Sequence, residues 1–503
     1  MHSPSRERAA AIVVALLLFA AVLRGQPHQQ ALAEKSDEAK HYMAEGRFAD
    51  AAILYDELTK AIPGNPGLLL NLGMALHMAG NDTAALAPLE AALKLQPIPP
   101  AMLFLGASYL RAGQPAKAIA PLKRFAAANP NHKEVRQMLS DALTTAGNYS
   151  EAVIHLRKLA ELDPPQAGVW YSLGRAYQEI AAAEFGTIPA DSGYWMALAA
   201  DSRNKQSQTR AGFLLYRKAI EKLPKLRGLH AAIAEIYKSS GHTDWAATEL
   251  KLESALGAPV CRPTPTIECH FASGRYRQVI AWPAASQDAR YWKIRAAAAL
   301  SREAFAKLMA LPPSSQSLRF RAETARDEGR PKEAVEHWRS ALAVSPDDAS
   351  IEVEIAKSLA ASKDFDGARE IVSKLLAGDG EALELNFLQG GIFLDLQQPE
   401  QAIPFLTQAV KADQKFLPAH ASLGRALLLL DRAGEAVPHL EASLPADSDG
   451  GIHFQLSRAY QSAGEPGLAK EMLAKYRAIQ KKLDSEKQMI EDESRITGPP
   501  QVR

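Results

Sequence analysis

The sequence has few cysteines, few aromatic residues and almost no net charge. Its 503 residues include only two cysteines, and Phe, Trp and Tyr together make up 7%. The 58 lysines and arginines nearly balance the 57 aspartates and glutamates, so the formal net charge is +1. A chain balanced in this way offers no global electrostatic attraction for nucleic acid. We therefore expect no nucleic-acid partner.

The sequence also lacks the common signatures of catalysis and cofactor binding. It contains no G-x-S-x-G nucleophile elbow, no Walker phosphate loop and no dinucleotide-binding glycine fingerprint. The 13 histidines are scattered, and His420, His439 and His453 are interpreted as structural residues rather than metal ligands at i, i+4 spacing. We expect no enzymatic activity, no cofactor and no metal.

Alanine recurs along the chain at an almost constant interval. The gaps are 34, 33 and 34 residues near the start and 34, 34, 34 and 33 residues toward the end. A register kept over such distances indicates a tandem structural unit. The nine alanines are Ala51, Ala85, Ala118, Ala152, Ala334, Ala368, Ala402, Ala436 and Ala469.

Other positions of the unit indicate two helices and a turn. A second small residue lies 12 positions before each alanine, which lets two helices approach closely where they cross. A glycine between the helices, as in Ala112-Gly113-Gln114, suits a left-handed helix cap. A proline that ends the second helix recurs 12 positions after the small residue of that helix. These prolines are Pro63, Pro97, Pro130, Pro164, Pro224 and Pro346.

The opening of one repeat matches a known motif. Residues 170–177 read Trp-Tyr-Ser-Leu-Gly-Arg-Ala-Tyr and fit W-x2-L-G-x2-Y at every defined position, and Leu72-Gly73 and Leu423-Gly424 keep part of it. The chain therefore resembles the tetratricopeptide repeat proteins, with about twelve units between roughly residues 32 and 483. The resemblance implies an all-α solenoid, a right-handed superhelix of helix-turn-helix repeats.

Two repeats are shorter than the regular interval. From Trp170 to about Ser192 the opening helix continues through residues 180–185 without a glycine turn, which leaves this copy about eight residues short. The stretch from Trp292 to about Ser314 is abbreviated in the same way. Each break either alters the local curvature of the stack or is a degenerate repeat without a functional role.

The amino terminus has the order of a secretory signal peptide. Arg6 and Arg8 precede an uncharged apolar run over residues 9–23, and Ala31-Leu32-Ala33 offers a small-x-small cleavage site. The run is shorter than the roughly 20 residues that span a bilayer, and an uncleaved inner-membrane anchor is the alternative. We predict that residues 1–33 are a signal peptide or an anchor, and that the protein is exported to the periplasm or secreted.

The two cysteines lie close together in a proline-rich connection. Cys261 and Cys269 are expected to pair, because thiols oxidise in an exported protein. Such a disulfide would stabilise an irregular joint between two stacks of repeats. The competing interpretation is a metal site completed by His270, which lacks the second ligand pair of the usual zinc spacing.

The irregular joint and the two ends divide the chain. We predict an N-terminal stack over residues 34–258, the cysteine-containing joint over 259–288 and a C-terminal stack over 289–483. Residues 484–503 continue a charged capping helix and end in a tail, disordered from Gly498.

The family resemblance also implies where partners bind. In that family the first helix of each repeat lines a concave groove, and arginine and aromatic residues are enriched at binding hot spots. The expected partner-binding residues are Tyr171, Arg175, Phe387, Arg425, Phe454 and Arg458. The resemblance implies a scaffold that binds a protein or peptide, and with the predicted export and the absence of catalytic motifs we expect a non-catalytic scaffold of the cell envelope. The alternatives are a membrane-anchored assembly or export factor and an accessory to an envelope enzyme.

Overall fold

The computed structural model describes residues 29–378, 382–493 and 495–499. The apolar run over residues 9–23, and with it most of the predicted signal peptide, lies outside the described residues. The described residues form helices and turns without a strand. None of the helices described is both long enough and apolar enough to cross a membrane.

The fold divides into two units between Ile180 and Ala181. The helices of the first unit begin with α1 over residues 29–44, and α9 runs on past the boundary. The others are α2 Phe48–Ala61, α3 Pro66–Met78, α4 Asp82–Leu95, α5 Pro99–Arg111, α6 Pro115–Ala128, α7 Lys133–Thr145, α8 Tyr149–Leu162 and α9 Ala167–Phe185.

The second unit contains the remaining helices. They are α10 Gly193–Lys205, α11 Thr209–Lys222, α12 Leu229–Ser239, α13 Thr243–Ala255, α14 Ile267–Ala272, α15 Tyr276–Ile280, α16 Gln287–Ala310, α17 Ser315–Asp327, α18 Pro331–Val344, α19 Ala349–Ala361, α20 Phe365–Gly378, α21 Leu383–Asp395, α22 Pro399–Ala412, α23 Leu417–Leu429, α24 Ala433–Ser443, α25 Gly451–Ser462 and α26 Pro466–Glu493.

Within each unit, successive helices pack as antiparallel hairpins, and each hairpin contacts the next. The repeated alanines lie at the crossing of the two helices, where eight of the nine are 0% exposed and Ala469 is 6% exposed. The small residue of the first helix faces a leucine four positions after the alanine. A Cβ added to Gly106 would lie 2.4 Å from Cγ of Leu122. The predicted close approach of two helices is confirmed, and its partner is this leucine.

The turns between paired helices have the predicted geometry. Gly80, Gly113, Gly147 and Gly464 have φ values of 82°, 70°, 73° and 81°, which are left-handed. The recurring prolines lie just after the second helices, as at Pro97 after α4 and Pro130 after α6. Four repeats place a residue other than glycine in the left-handed turn: Ser207, Lys363, Gln397 and Asp431.

Both predicted irregularities are long single helices. The helix α9 continues for 19 residues to Phe185, and α16 runs for 24 residues. Between them the joint forms the short helices α14 and α15. Ile267 and Val279 of the joint are buried in the same hydrophobic cluster as α10 to α13 and α16. The two compact units divide within α9, and the division into stacks on either side of the joint stays a prediction.

The carboxyl-terminal end of the described chain packs against the second unit. The last helix continues to Glu493, and the following residues make defined contacts with the second unit. Gly498, where the predicted disorder begins, lies against the ring of Trp245. Glycine and proline disfavour a helix in this segment. The contacts of Gly498 are with residues distant in the sequence, so no local pattern predicts them.

Candidate partner-binding surfaces

The predicted binding residues lie on first helices of both units. Tyr171 and Arg175 lie on α9 in the first unit, where the Arg175 Nη1 donates to Gln178 Oε1 at 3.1 Å. In the second unit, Phe387 lies on α21 and packs edge-on against Phe416. Arg425 lies on α23, and Phe454 and Arg458 lie on α25.

The surface around Phe454 and Arg458 is a groove between α25 and α26. Its cavity is about 440 Å³, and Ala469, Lys470 and Leu473 of α26 form the opposite wall. We call this surface the C-terminal groove. Two of the predicted residues, Phe454 and Arg458, thus meet at one site.

The packing of α25 explains why these two side chains face outward. Leu456, Ala459 and Tyr460 are buried in the hydrophobic cluster of the last repeats. Residues four positions apart share a helix face, so Phe454 and Arg458 lie together on another side. Phe454 is 40% exposed, and its ring lies 5.2 Å from that of Tyr476.

The C-terminal groove is basic and partly apolar. Arg458 and Lys470 are exposed and form no ion pair with the described part of the chain. Arg425 is also exposed and lies 33 positions before Arg458, at the equivalent place of the neighbouring first helix. A ring beside unpaired cations suits a partner with carboxylate and apolar side chains.

Family models match the repeats in both halves of the sequence. Two models, each described as tetratricopeptide repeat, match residues 36–98 and 387–451 and residues 109–179 and 325–384, just over half of the chain. The chain belongs to the tetratricopeptide repeat family. The resemblance and the all-α fold predicted from the sequence are confirmed. Proteins of this family bind protein partners. The functional class of the chain is therefore that of a protein-interaction scaffold.

A curated relative shares part of this sequence. The chain is 32% identical over 156 residues to "Cellulose synthase 2 operon protein C" of Komagataeibacter xylinus. The match covers 29% of this chain and 12% of that protein. The chain therefore spans about an eighth of the relative's length.

Solved structures of MamA and of a tetratricopeptide repeat protein align with about a third of the chain. MamA from Desulfovibrio magneticus RS-1 is 18% identical with a TM-score of 0.32, covering 35% of this chain and 99% of that one. A thermophilic tetratricopeptide repeat protein of Thermus thermophilus is 19% identical with a TM-score of 0.29, covering 36% of this chain and 98% of that one.

The tetratricopeptide repeat scaffold also has a larger cleft that the sequence did not predict. It lies in the second unit and has a volume of about 810 Å³, with α10, α16 and α17 supplying most of its walls. Arg295 projects into it, and its Nη1 donates to the Tyr291 hydroxyl at 2.8 Å. We call this surface the Arg295 cleft. Both abbreviated repeats contribute to its walls, through the end of α9 and through α16, and they were its signal in the sequence.

Aromatic rings hold the guanidinium of Arg295 in place. Its carbon lies 5.4 Å, 5.5 Å and 5.8 Å from the ring centroids of Phe271, Tyr291 and Trp292. Burial raises the pKa of Tyr291 to about 12, so the phenol stays protonated at neutral pH. Lys205 and Arg302 face Asp327 and Glu328 around the same cleft. Because the lining charges have both signs, the cleft selects no single ligand charge.

Four of the described histidines have partners that account for them structurally. His230 Nδ1 lies 2.6 Å from Glu249, and His453 Nδ1 lies 2.6 Å from Asp447. His420 and His439 contact each other through their Nδ1 atoms at 3.0 Å. Within the described residues there is no cluster of three or more His, Cys, Asp or Glu side chains suited to a metal.

One histidine cluster superficially resembles a catalytic triad. In the first unit, His77 Nδ1 lies 2.6 Å from Asp82 Oδ1 and 3.0 Å from Ser108 Oγ. A relay needs the acid and the hydroxyl on opposite ring nitrogens, whereas both contacts here involve Nδ1. Arg111 also pairs with Asp82 at 2.9 Å, so the cluster links neighbouring repeats.

Cys261 and Cys269 form a disulfide, as the sequence predicts. Their Cα atoms are 5.4 Å apart, and Cys269 is buried. Both sulfurs are therefore used within the joint. His270 stacks obliquely near Trp282 rather than joining the sulfurs in a ligand set.

Proposed function

We propose that this chain is an exported, non-catalytic scaffold that binds a partner protein of the cell envelope through the C-terminal groove. The observation that supports this most is the coincidence of Phe454 and Arg458 in one groove on a first helix. Arginine and aromatic side chains contribute most at binding hot spots. Arg425 extends the same basic face by one repeat.

The charge of the groove defines the kind of partner. Arg458 and Lys470 have no carboxylate of the described chain to pair with, so a partner carboxylate gains two cations without displacing an existing ion pair. Phe454 and Leu473 add apolar surface beside them. The partner segment therefore combines acidic and apolar residues.

Export rests on the amino-terminal sequence and on the cysteines. Arg6 and Arg8 before the apolar run 9–23 follow the order of a signal peptide. A disulfide between Cys261 and Cys269 is stable in an oxidising compartment. We place the protein in the periplasm or outside the cell.

Partner binding is tested by affinity capture from an envelope extract of the native host. Arg458→Glu and Phe454→Ala should each lose the captured partner. Arg339→Glu is the matched control, because Arg339 is an exposed arginine on the second helix α18. The proposal fails if both groove variants retain the partner at the level of the control.

A second function is a membrane-anchored assembly or export factor. The match to a protein named for a cellulose synthase operon favours a role beside an envelope polymer system. Fractionation separates the two: cleavage after Ala33 leaves the chain soluble, and an uncleaved run 9–23 keeps it with the inner membrane. Mass measurement of the mature amino terminus gives the same distinction.

A further inference from the structure

Residues 495–499, which follow the last helix, lie without regular secondary structure against the second unit. The Tyr237 hydroxyl donates to the Thr497 carbonyl at 2.5 Å, and the Arg217 Nη1 donates to the Thr497 hydroxyl at 2.6 Å. Ile496 packs against the hydrophobic cluster of α10 to α16. We call residues 495–499 the tail, and its contact surface on α11, α12 and α13 the tail site.

The tail site is aromatic and largely buried. Phe213 and Tyr237 are 0% and 1% exposed, and their ring centroids are 5.5 Å apart. Trp245 lies 5.5 Å from Tyr237 and stacks on His242 at 4.1 Å. Burial raises the pKa of Tyr237 to about 12, so its hydroxyl remains a donor at neutral pH. A buried donor of this kind needs an acceptor, and the tail carbonyl supplies it.

The groups of the tail that contact the tail site also occur in peptides of other proteins. Its contacts use a main-chain carbonyl, a hydroxyl, an apolar side chain and a glycine. A Cβ on Gly498 would lie 3.1 Å from the Trp245 ring, so the site favours glycine there. An extended apolar–Thr/Ser–Gly segment of another protein therefore meets the same donors and the same ring.

We propose that the tail is an intramolecular ligand that closes a second peptide-binding site, and that a partner opens the site by displacing it with an apolar–Thr/Ser–Gly segment. This inference rests on the proposed scaffold function only for the identity of the displacing molecule. The tether makes autoinhibition effective, because a segment on the same chain acts at an effective concentration of about 1 mM. A short contact that binds only weakly between separate molecules is thus mostly occupied within one chain.

The experiment uses the full chain and a fluorescein-labelled synthetic peptide of residues 487–503, with anisotropy as the readout. In the release variant Ile496→Asp/Gly498→Val, the linked tail no longer fits, so the free peptide should bind at least about tenfold more tightly than to wild type. The matched control is Leu483→Asp/Gly467→Val, which makes the same two changes on α26. Leu483 is 36% exposed, and a Cβ on Gly467 would meet nothing within 4 Å.

Two further variants decide between outcomes. Tyr237→Phe added to the release variant should weaken the peptide about tenfold, since the carbonyl loses its donor. Arg458→Glu added to it should leave peptide binding unchanged, which separates this inference from the proposed role of the C-terminal groove. A chain ending at Glu493 serves in place of the release variant if that variant fails to fold. The proposal would be overturned if the labelled peptide bound wild type and the release variant with equal affinity.

Discussion

Gly390 on α21 lies directly against Leu406 on α22: a Cβ added to Gly390 would lie 2.5 Å from Cγ of Leu406. The neighbouring Gly391 has nothing within 4 Å of its Cβ position. Substituting each of these two glycines therefore distinguishes the effect of close helix packing from the effect of helix propensity on the stability of one helix. The same contact recurs at Gly73, Gly106 and Gly424.

Gly390→Ala should destabilise the chain by about 1–3 kcal/mol, because the methyl group forces α21 and α22 apart. Gly391→Ala should instead stabilise it by up to about 1 kcal/mol through better helix propensity. Urea denaturation of the two variants measures both effects. A stabilising Gly390→Ala would show that the leucine moves aside and that the contact does not set the helix spacing.

Lys363 has a φ of 66° in the turn between α19 and α20, where other repeats place glycine. Lys363→Gly should therefore stabilise the protein by about 1 kcal/mol, since glycine adopts this conformation without a steric penalty. Ser362→Gly is the control, because Ser362 has a φ of −84° and gains nothing from glycine. Thermal unfolding should give a higher Tm for the first variant alone.

The contact between His420 and His439 makes stability depend on pH. Burial, and then the neighbouring His420, lower the pKa of His439 below its ordinary 6.5. The folded state therefore favours the neutral ring, so this stabilisation is present above pH 6.5 and is lost as the pH falls through the lower folded pKa. His439→Gln should flatten the dependence of the unfolding free energy on pH between about 5 and 7. An unchanged slope would show that the pair does not contribute.

The disulfide should stabilise the joint rather than the whole chain. Its sequence separation of 8 residues corresponds to a loop stabilisation of about 2–3 kcal/mol. Cys261→Ser should increase hydrogen exchange in α14 and α15 and leave the first unit unchanged. A thiol assay of the oxidised wild type should find no reactive sulfhydryl. Equal exchange in variant and wild type would contradict a role for the disulfide in the joint.

The repeat architecture could be predicted because it depends on local chemistry repeated at a fixed interval. The small side chain of Ala118 predicts a helix crossing, and Gly113 predicts a left-handed turn. In the structure Ala118 is buried at the crossing and Gly113 has a left-handed φ. The long helices α9 and α16 were also visible as missing glycine turns.

The surfaces could be predicted only in part. The pairing of Phe454 with Arg458 follows from helix spacing, yet the opposite wall on α26 comes from packing. The Arg295 cleft joins residues from helices about 100 positions apart, and Tyr237 meets Thr497 across a separation of 260 residues. Contacts between segments that are distant in the chain produce no periodic pattern in the sequence, so the repeat pattern could not predict them.

The most direct test of the central claim is photo-crosslinking in the native host from a benzophenone amino acid placed at position 454. The control position is 344, because Val344 is 57% exposed and lies at the end of the second helix α18. If Phe454 and Arg458 form the partner-binding surface, position 454 gives one specific protein adduct that is absent from position 344 and lost when Arg458→Glu is added. Adducts that are identical at both positions, or that persist with Arg458→Glu, would contradict it.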